Sequence, residues 1–369
     1  MVELADIFRL HGPEYRARFG DRMPTSHLVA MQDIEQCRTE ALGGHVYQCA
    51  ACQALEYSYH SCKNRHCPTC QNDEATRWLD TQRALLLPVP SFLVPFPLPE
   101  ALRPVARSNQ KCMYNVLFQT SAAALQGLSL DAKHLGGQIG MVGVLHTWTR
   151  DMAYHPHVHY LVPAGALSPD GSQWLAPRSE AWLVPVRALS HIFRGKFKEK
   201  IAQANLLDHA PAHVWQQAWV THCEPVGTGH EVITYLAPYI RRIAMTNNRI
   251  EKLEDGYVTF RFKASGSKAW QHRTLRAQAC IHRFLPHVLP KGFIKVRYYG
   301  FLSPTCRNVL THIRHLLSTS ACHLLAPPDE QNQPPRQPLP ATPPARQCTI
   351  CRGQLVLIHH LSRPKRAPP

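Results

Sequence analysis

Acidic residues are scarce in this 369-residue chain: Asp and Glu total 25 against 41 Lys and Arg, a formal net charge of +16. A field of that sign attracts polyanions and argues against an acidic tail or acidic-protein mimicry, so nucleic acid is the leading partner. Long hydrophobic runs are also missing. No stretch approaches the roughly 18 consecutive apolar residues of a membrane span, and the most apolar segment, Leu85–Pro99, is broken by prolines, so no membrane partner is expected. The opening MVELADIFRLHGPEY has early acidic residues and no apolar core, which excludes a secretory signal and leads us to expect a cytoplasmic protein. No internal repeat is visible. What is present, 44% hydrophobic and 18% charged residues, excludes a wholly disordered chain, and the length suits two or three compact units.

The cysteines total 13, an odd number in a chain without a secretory signal, which disfavours a disulfide framework. Six lie between Cys37 and Cys70, two form Cys348-x-x-Cys351, and Cys112, Cys223, Cys280, Cys306 and Cys322 are scattered as ordinary thiols. Cys49-x-x-Cys52 and Cys67-x-x-Cys70 are thiolate hairpins; each puts two sulfurs on one side of a tight loop, and two such turns close the tetrahedron that structural Zn²⁺ prefers. Cys37, His45, His60, Cys62 and His66 exceed the needs of one site and leave open a second ion or a different choice of four. Arg38, Lys63, Asn64 and Arg65 flank the ligands, where a metal-pinned loop would hold them toward phosphates or base edges of DNA. The tail pair reads as half of another zinc site, with His359 or His360 available to complete it.

Periodicity gives short helices over Leu4–Arg9, ended by His11-Gly12-Pro13, and over His27–Arg38, then helices over Asn72–Leu87 and Asn109–Gln126. Ser91–Pro97 reads as extended. Gly137–Thr149 and His155–Pro163 are β-rich and separated by Arg150-Asp151, a β-hairpin. Ala188–Asn205 is a basic helix whose Phe193 and Phe197 either stack on single-stranded DNA or pack inward. Glu231–Met245 is helical, Tyr257–Lys263 alternates as a strand, Leu275–Leu285 is helical, Ile294–Tyr299 is a strand and Cys306–Leu317 a last helix. Residues 327–344 are dominated by Pro, Gln and Arg and cannot pack a core.

In His157-Val158-His159 the period of a strand puts both imidazoles on one face. Two imidazoles and one further ligand hold a divalent ion, Mg²⁺ or Mn²⁺, with positions open to phosphate oxygens. A hairpin turning near Asp151–Met152 places His146 opposite His157 as third ligand, with His155 as its competitor; a slip of one residue would point His146 away. Tyr235 and Tyr239 stand four apart on one helical face, with Pro238 between them, and two phenols can act as successive nucleophiles while Arg241 and Arg242 hold the DNA backbone.

Several motifs in one order carry a family resemblance: SCKNRHCPTC, GVLHTWTRDMAYHPHVHYLVPAGALSPDG, LSHIFRGKFKEK, YLAPYIRRIAMTNNRI and LPKGFIKVRYYGFL. From about Cys37 to Leu302 the chain resembles the two-tyrosine HUH transposases of the IS91 type. The resemblance implies an α+β fold, in which an antiparallel-sheet, Rep- or relaxase-like HUH nuclease domain follows a small zinc-binding domain and precedes a Pro-rich tail. His157 and His159 match its metal-binding histidines, Tyr235 and Tyr239 its paired tyrosines. The expected organisation is a helical segment over 1–35, the zinc-binding, DNA-binding domain over 36–75, a helical connector over 76–135, the catalytic domain over 136–305, a helix over 306–326 and the tail over 327–369. The implied function is cleavage and rejoining of single-stranded DNA at insertion-sequence ends through a 5′-phosphotyrosine. No Gly-x-x-x-x-Gly-Lys-Ser/Thr loop is present, so helicase action is expected from host replication partners. Rival readings are a zinc-dependent DNA-binding regulator without catalysis, a hydrolase using water as nucleophile, and a relaxase or replication initiator with the same chemistry.

Overall fold

A computed structural model describes residues 2–70, 85–228, 231, 244–264, 267, 269–321 and 346–363. In chain order its elements are α1 (Leu4–Phe19), α2 (Thr25–Gln36), β1 (Gly44–Cys49), β2 (Leu55–Tyr59), β3 (Ser91–Pro97), α3 (Arg103–Ser108), α4 (Gln110–Leu130), β4 (Met141–Trp148), β5 (Tyr154–Pro163), β6 (Ala166–Leu167), β7 (Trp174–Leu175), α5 (Val186–Gln203) and β8 (Glu224–Pro225), followed by β9 (Ile250–Glu254), β10 (Tyr257–Lys263), β11 (Trp270–Arg276), α6 (Ala277–Phe284), β12 (Val296–Tyr299), α7 (Arg307–Ala321) and β13 (Leu355–Leu361). Helices and antiparallel sheets are mixed, with a cysteine cluster near the N-terminus. Most of the expected helices at Asn72–Leu87 and Glu231–Met245, and the Pro-rich segment, lie outside the described residues. Among those described, no helix is long and apolar enough to cross a membrane.

The central sheet has five strands in the order β12-β4-β5-β3-β8, and every pairing is antiparallel. Strand alternation divides its faces. Val158, Tyr160 and Val162 of β5, with Phe92, Val94 and Phe96 of β3, join one core with α4 and α5. Burial of each such aromatic or branched side chain stabilises by roughly 1.5–3 kcal/mol. Gly143 lies opposite Tyr160, and a Cβ there would come within 2.6 Å of the tyrosine ring. The buried phenol donates to Phe118 O (3.1 Å) and pairs with Ser121 Oγ (2.9 Å), so its polar end is satisfied. His157 and His159 occupy the other face. Phe193 and Phe197 of α5 are fully buried, their rings 5.0 and 5.2 Å from Trp219, which settles the two options for this helix in favour of inward packing.

A second core joins α1, α2, α6 and the three-stranded β9–β11 sheet, where Val258, Phe260 and Phe262 alternate inward as their spacing predicts. Here α1 corrects the sequence reading: it continues through Pro13 to Phe19 instead of stopping at His11-Gly12-Pro13. The missing N–H of Pro13 is outweighed by tertiary packing, since Gly12 and Tyr15 are buried and Arg16 Nη1 pairs with Glu35 Oε1 of α2 at 2.5 Å. A small sheet, ordered β13-β1-β2, brings the C-terminal strand beside the cysteine hairpin of β1.

Candidate functional site

The turn between β4 and β5 fixes the register on which the histidine site depends. Thr149 N donates to Ala153 O (3.0 Å), Ala153 N donates to Thr149 Oγ1 (3.0 Å), and Met152 takes the left-handed conformation (φ 65°). The Thr149 hydroxyl donates to the Asp151 carboxylate, which Arg273 of β11 holds at 2.6 Å. With the turn locked, His146 stands opposite His157 and Val144 opposite His159. One ligand nitrogen from each of His146, His157 and His159 lies within 4.8 Å of the other two. His157 Nδ1–H donates to His155 O at 2.7 Å, because a carbonyl can only accept; its Nε2 therefore carries the lone pair a metal needs, with the ring oriented by a backbone bond as in known metal sites. Burial pulls His159 to about 4 and His157 well below the ordinary histidine range, so both imidazoles are neutral. His155, the competing third ligand, has its ring 5.0 Å from that of His157 but falls outside this group of converging nitrogens.

Buried His287 supports the hairpin from behind: its Nδ1 lies 3.2 Å from Thr147 Oγ1 and its Nε2 3.4 Å from Met152 O. Burial pulls it from 6.5 to about 4. The unfolded chain then binds the extra proton below pH 6.5, so the contribution to stability is complete above that pH and is lost as pH falls toward 4. Between pH 7 and pH 5 this amounts to about 2 kcal/mol. His287→Asn is expected to be less stable at pH 7 but to lose correspondingly less on acidification; denaturant unfolding at the two pH values checks this, and equal losses in both proteins would refute it.

The histidines line a cavity of about 600 Å³ together with Trp148, Arg150 and Phe262. These three also line an adjoining hollow of about 510 Å³ with Lys263 and Trp270, forming one groove. Trp270 is 49% exposed, and Arg261 and Lys263 each stand 4.9 Å from a ring of it. Behind Trp148, burial lowers Lys295 to about 7, its Nζ 5.0 Å from the indole. As groove-lining residues Trp148, Arg150 and Trp270 escaped the sequence reading, although Trp148 and Arg150 stand two and four positions after His146 within the motif. Tyr235, Tyr239, Arg241 and Arg242 lie outside the described residues.

The cysteines group differently from their spacing. Cys37, Cys62, Cys67 and Cys70 form one cluster, and Cys49, Cys52, Cys348 and Cys351 another. The expected tetrahedron of Cys49, Cys52, Cys67 and Cys70 is therefore incorrect, and the tail pair meets cysteines instead of His359 or His360. In the first cluster Cys70 Sγ lies 3.5 Å from both Cys37 Sγ and Cys62 Sγ. Tetrahedral zinc with Zn–S bonds of about 2.3 Å separates sulfurs by roughly 3.8 Å, whereas a disulfide has S–S about 2.0 Å, so the spacing fits an ion. Cys37 ends α2, Cys62 follows β2, and Cys67 and Cys70 share a turn in which Cys70 N donates to Cys67 O (3.2 Å). His66 is not in the cluster; its Nε2 accepts from Leu289 N at 3.2 Å. Arg65 also departs from expectation. Its guanidinium turns inward to Phe293 O (2.6 Å) and Pro290 O (3.0 Å), bracing the loop against the chain before β12. Asn64 is likewise engaged, donating to Asp33 Oδ2. Arg38 and Lys63 remain exposed.

Two family models match the chain: one described as "Putative transposase" over residues 140–309, and one described as "Transposase zinc-binding domain" over 7–98. "Putative transposase y4qJ" of Sinorhizobium fredii is 38% identical over 383 aligned positions, covering 96% of this chain and 94% of that protein. The chain belongs to the IS91 family of transposases. The "Transposase for insertion sequence element IS801" of Pseudomonas savastanoi pv. phaseolicola is 28% identical over 286 positions, covering 72% of this transposase and 68% of that protein. No solved structure gives a significant match. The zinc-binding match contains the six N-terminal cysteines, and the transposase match contains His146, His157 and His159. Structural zinc is supported by both the zinc-binding match and the cysteine grouping.

Proposed function

We propose that this transposase cuts and rejoins single-stranded DNA at insertion-sequence ends through a 5′-phosphotyrosine, in rolling-circle-like transposition. The observation that carries the reading is the convergence of His146, His157 and His159 on one sheet face, with His157 tied by Nδ1 to a carbonyl and both hydrophobic-flanked imidazoles neutral. That donor set fits a divalent ion, Mn²⁺ more readily than the harder Mg²⁺. When bound, the ion supplies Lewis-acid polarisation of the scissile phosphate. Tyr235 or Tyr239 attacks phosphorus, the P–O3′ bond breaks, and a free 3′-hydroxyl leaves; the second tyrosine opens another strand. The phosphotyrosine conserves the energy of the cleaved bond, so rejoining by the 3′-hydroxyl requires no nucleotide hydrolysis, and strand separation falls to a host helicase. In this reading residues 36–75 serve metal and DNA binding, with Arg38 and Lys63 as contacts, and residues 136–305 carry the cleavage, with Arg241 and Arg242 on the backbone.

The groove from Trp148 to Trp270 suits a single strand, because indoles stack on any base while Arg150 and Lys263 meet phosphates. Loss of one stacking platform costs about 1–3 kcal/mol per base. Trp270→Ala should therefore weaken binding of a single-stranded oligonucleotide about 5- to 150-fold, measured by fluorescence anisotropy, while duplex binding changes little; unchanged single-strand affinity would remove the groove from the DNA path. Family membership favours a transposase over a relaxase or initiator, and the inward turn of Arg65 weakens the regulator reading. Incubation with single-stranded element ends and Mn²⁺, followed by a denaturing gel, tests the proposal: a covalent protein–DNA adduct is expected, and metal-dependent cleavage without one would point to water as nucleophile.

A further inference from the structure

The second cysteine group lies beyond what the zinc-binding match covers, because Cys348 and Cys351 fall outside residues 7–98. Its two halves have the same backbone construction. Cys49 N donates to Ala54 O (2.9 Å) and Gln53 N to Cys49 O (3.0 Å); the tail repeats this over Cys348–Gly353, Cys348 N donating to Gly353 O (2.8 Å) and Arg352 N to Cys348 O (2.9 Å). Gln53 and Arg352, at the matching position of each turn, are both left-handed, with φ of 60° and 61°. Across the pair, Cys49 Sγ lies 3.4 Å from Cys351 Sγ and Cys52 Sγ 3.7 Å from Cys348 Sγ, too far for disulfides and close to the roughly 3.8 Å of sulfurs around tetrahedral zinc. A Cβ on Gly353 would lie only 3.0 Å from Cys49 Sγ, so glycine lets the turn close over the sulfurs. Contacts outside the sulfurs agree: β13 pairs with β1 from Cys49↔Leu355 to Gly44↔Leu361, Ala50 N donates to Gln354 O (3.0 Å), and the Glu56 carboxylate accepts from Thr349 N (2.6 Å) and Oγ1 (2.9 Å).

We infer that Cys49, Cys52, Cys348 and Cys351 bind a second structural zinc ion, which clasps the C-terminal segment onto the N-terminal zinc-binding region as the third strand of its sheet. Two matching turns, each supplying two thiolates, complete one tetrahedron from parts of the chain separated by 296 residues. The site cannot exist until Cys351 has been made, and a chain ending before Cys348 leaves Cys49 and Cys52 with half a coordination shell and β1 with an open edge. The inference is independent of the cleavage chemistry.

Zinc content of the purified full chain tests it: two ions per chain are expected, one in Cys348→Ser/Cys351→Ser, and one in Cys62→Ser/Cys70→Ser, which empties the other cluster. A protease site placed in residues 327–344 gives a readout other than metal content. After cutting, the C-terminal peptide should co-elute with the body of the protein in gel filtration, and should separate in Cys348→Ser/Cys351→Ser or after chelation. One zinc per wild-type chain, no loss of zinc in the tail variant, or release of the peptide from the zinc-loaded wild-type protein would each overturn the clasp.

Discussion

Replacing both Tyr235 and Tyr239 with phenylalanine is expected to abolish the covalent protein–DNA adduct, reducing strand cleavage by more than about a thousandfold, the scale on which removal of a nucleophile acts. Phenylalanine retains the ring and its helix propensity and deletes only the hydroxyl, so a loss is chemical and not a matter of packing. The four-residue spacing predicts two phenols about one helical turn apart on the same side. Either can therefore meet a phosphate brought to the same place, and the single variants should differ from the double one: each retains one cleavage event but cannot complete an exchange that requires two. The measurement is a denaturing gel with labelled single-stranded ends for Tyr235→Phe, Tyr239→Phe and the double variant. An undiminished adduct in the double variant would assign the nucleophile elsewhere.

The parts of this molecule legible in its sequence are those built from local contacts. The β-rich stretches on either side of Arg150-Asp151 give the hairpin, and a turn near Asp151–Met152 is enough to place His146 opposite His157. The core-directed face of α4 is likewise legible, since the helical period over Asn109–Gln126 brings Met113, Val116, Leu117 and Ala124 to one side and all four are buried. Local spacing failed where partners are distant. Each Cys-x-x-Cys pair forms the two-sulfur turn its spacing predicts, but which turns group together depends on β13 pairing with β1, a contact that no period or composition encodes. The same holds for Arg65, whose acceptors are the carbonyls of Pro290 and Phe293, and for α1, where the breaking tendency of Pro13 is overridden by packing against α2 and α6. Trp270 gave no signal because its importance comes from β11 lying beside β10, which carries Phe262 and Lys263 to the edge of the histidine cavity.

His157→Ala and His159→Ala are expected to lower adduct formation by about 100- to 1000-fold or more, the range seen when one preorganised electrostatic contact to the transition state is removed. Neither residue touches the core that α4 and α5 form with the sheet, because both lie on the opposite face of β5 from Val158 and Tyr160. Folding should therefore survive, and binding of single-stranded DNA through the Trp270 groove should stay within a few-fold of wild type. His146→Ala separates the roles further. It contributes to the site from a neighbouring strand, so its loss should mainly raise the Mn²⁺ concentration needed for cleavage, with recovery of adduct at high metal that His157→Ala does not show. His157 Nδ1 donates to His155 O, which orients that ring before any ion arrives, whereas His146 reaches the site from β4. Metal titrations of adduct formation for the three variants decide the matter: wild-type cleavage by His157→Ala and His159→Ala alike would show that the phosphate is activated elsewhere.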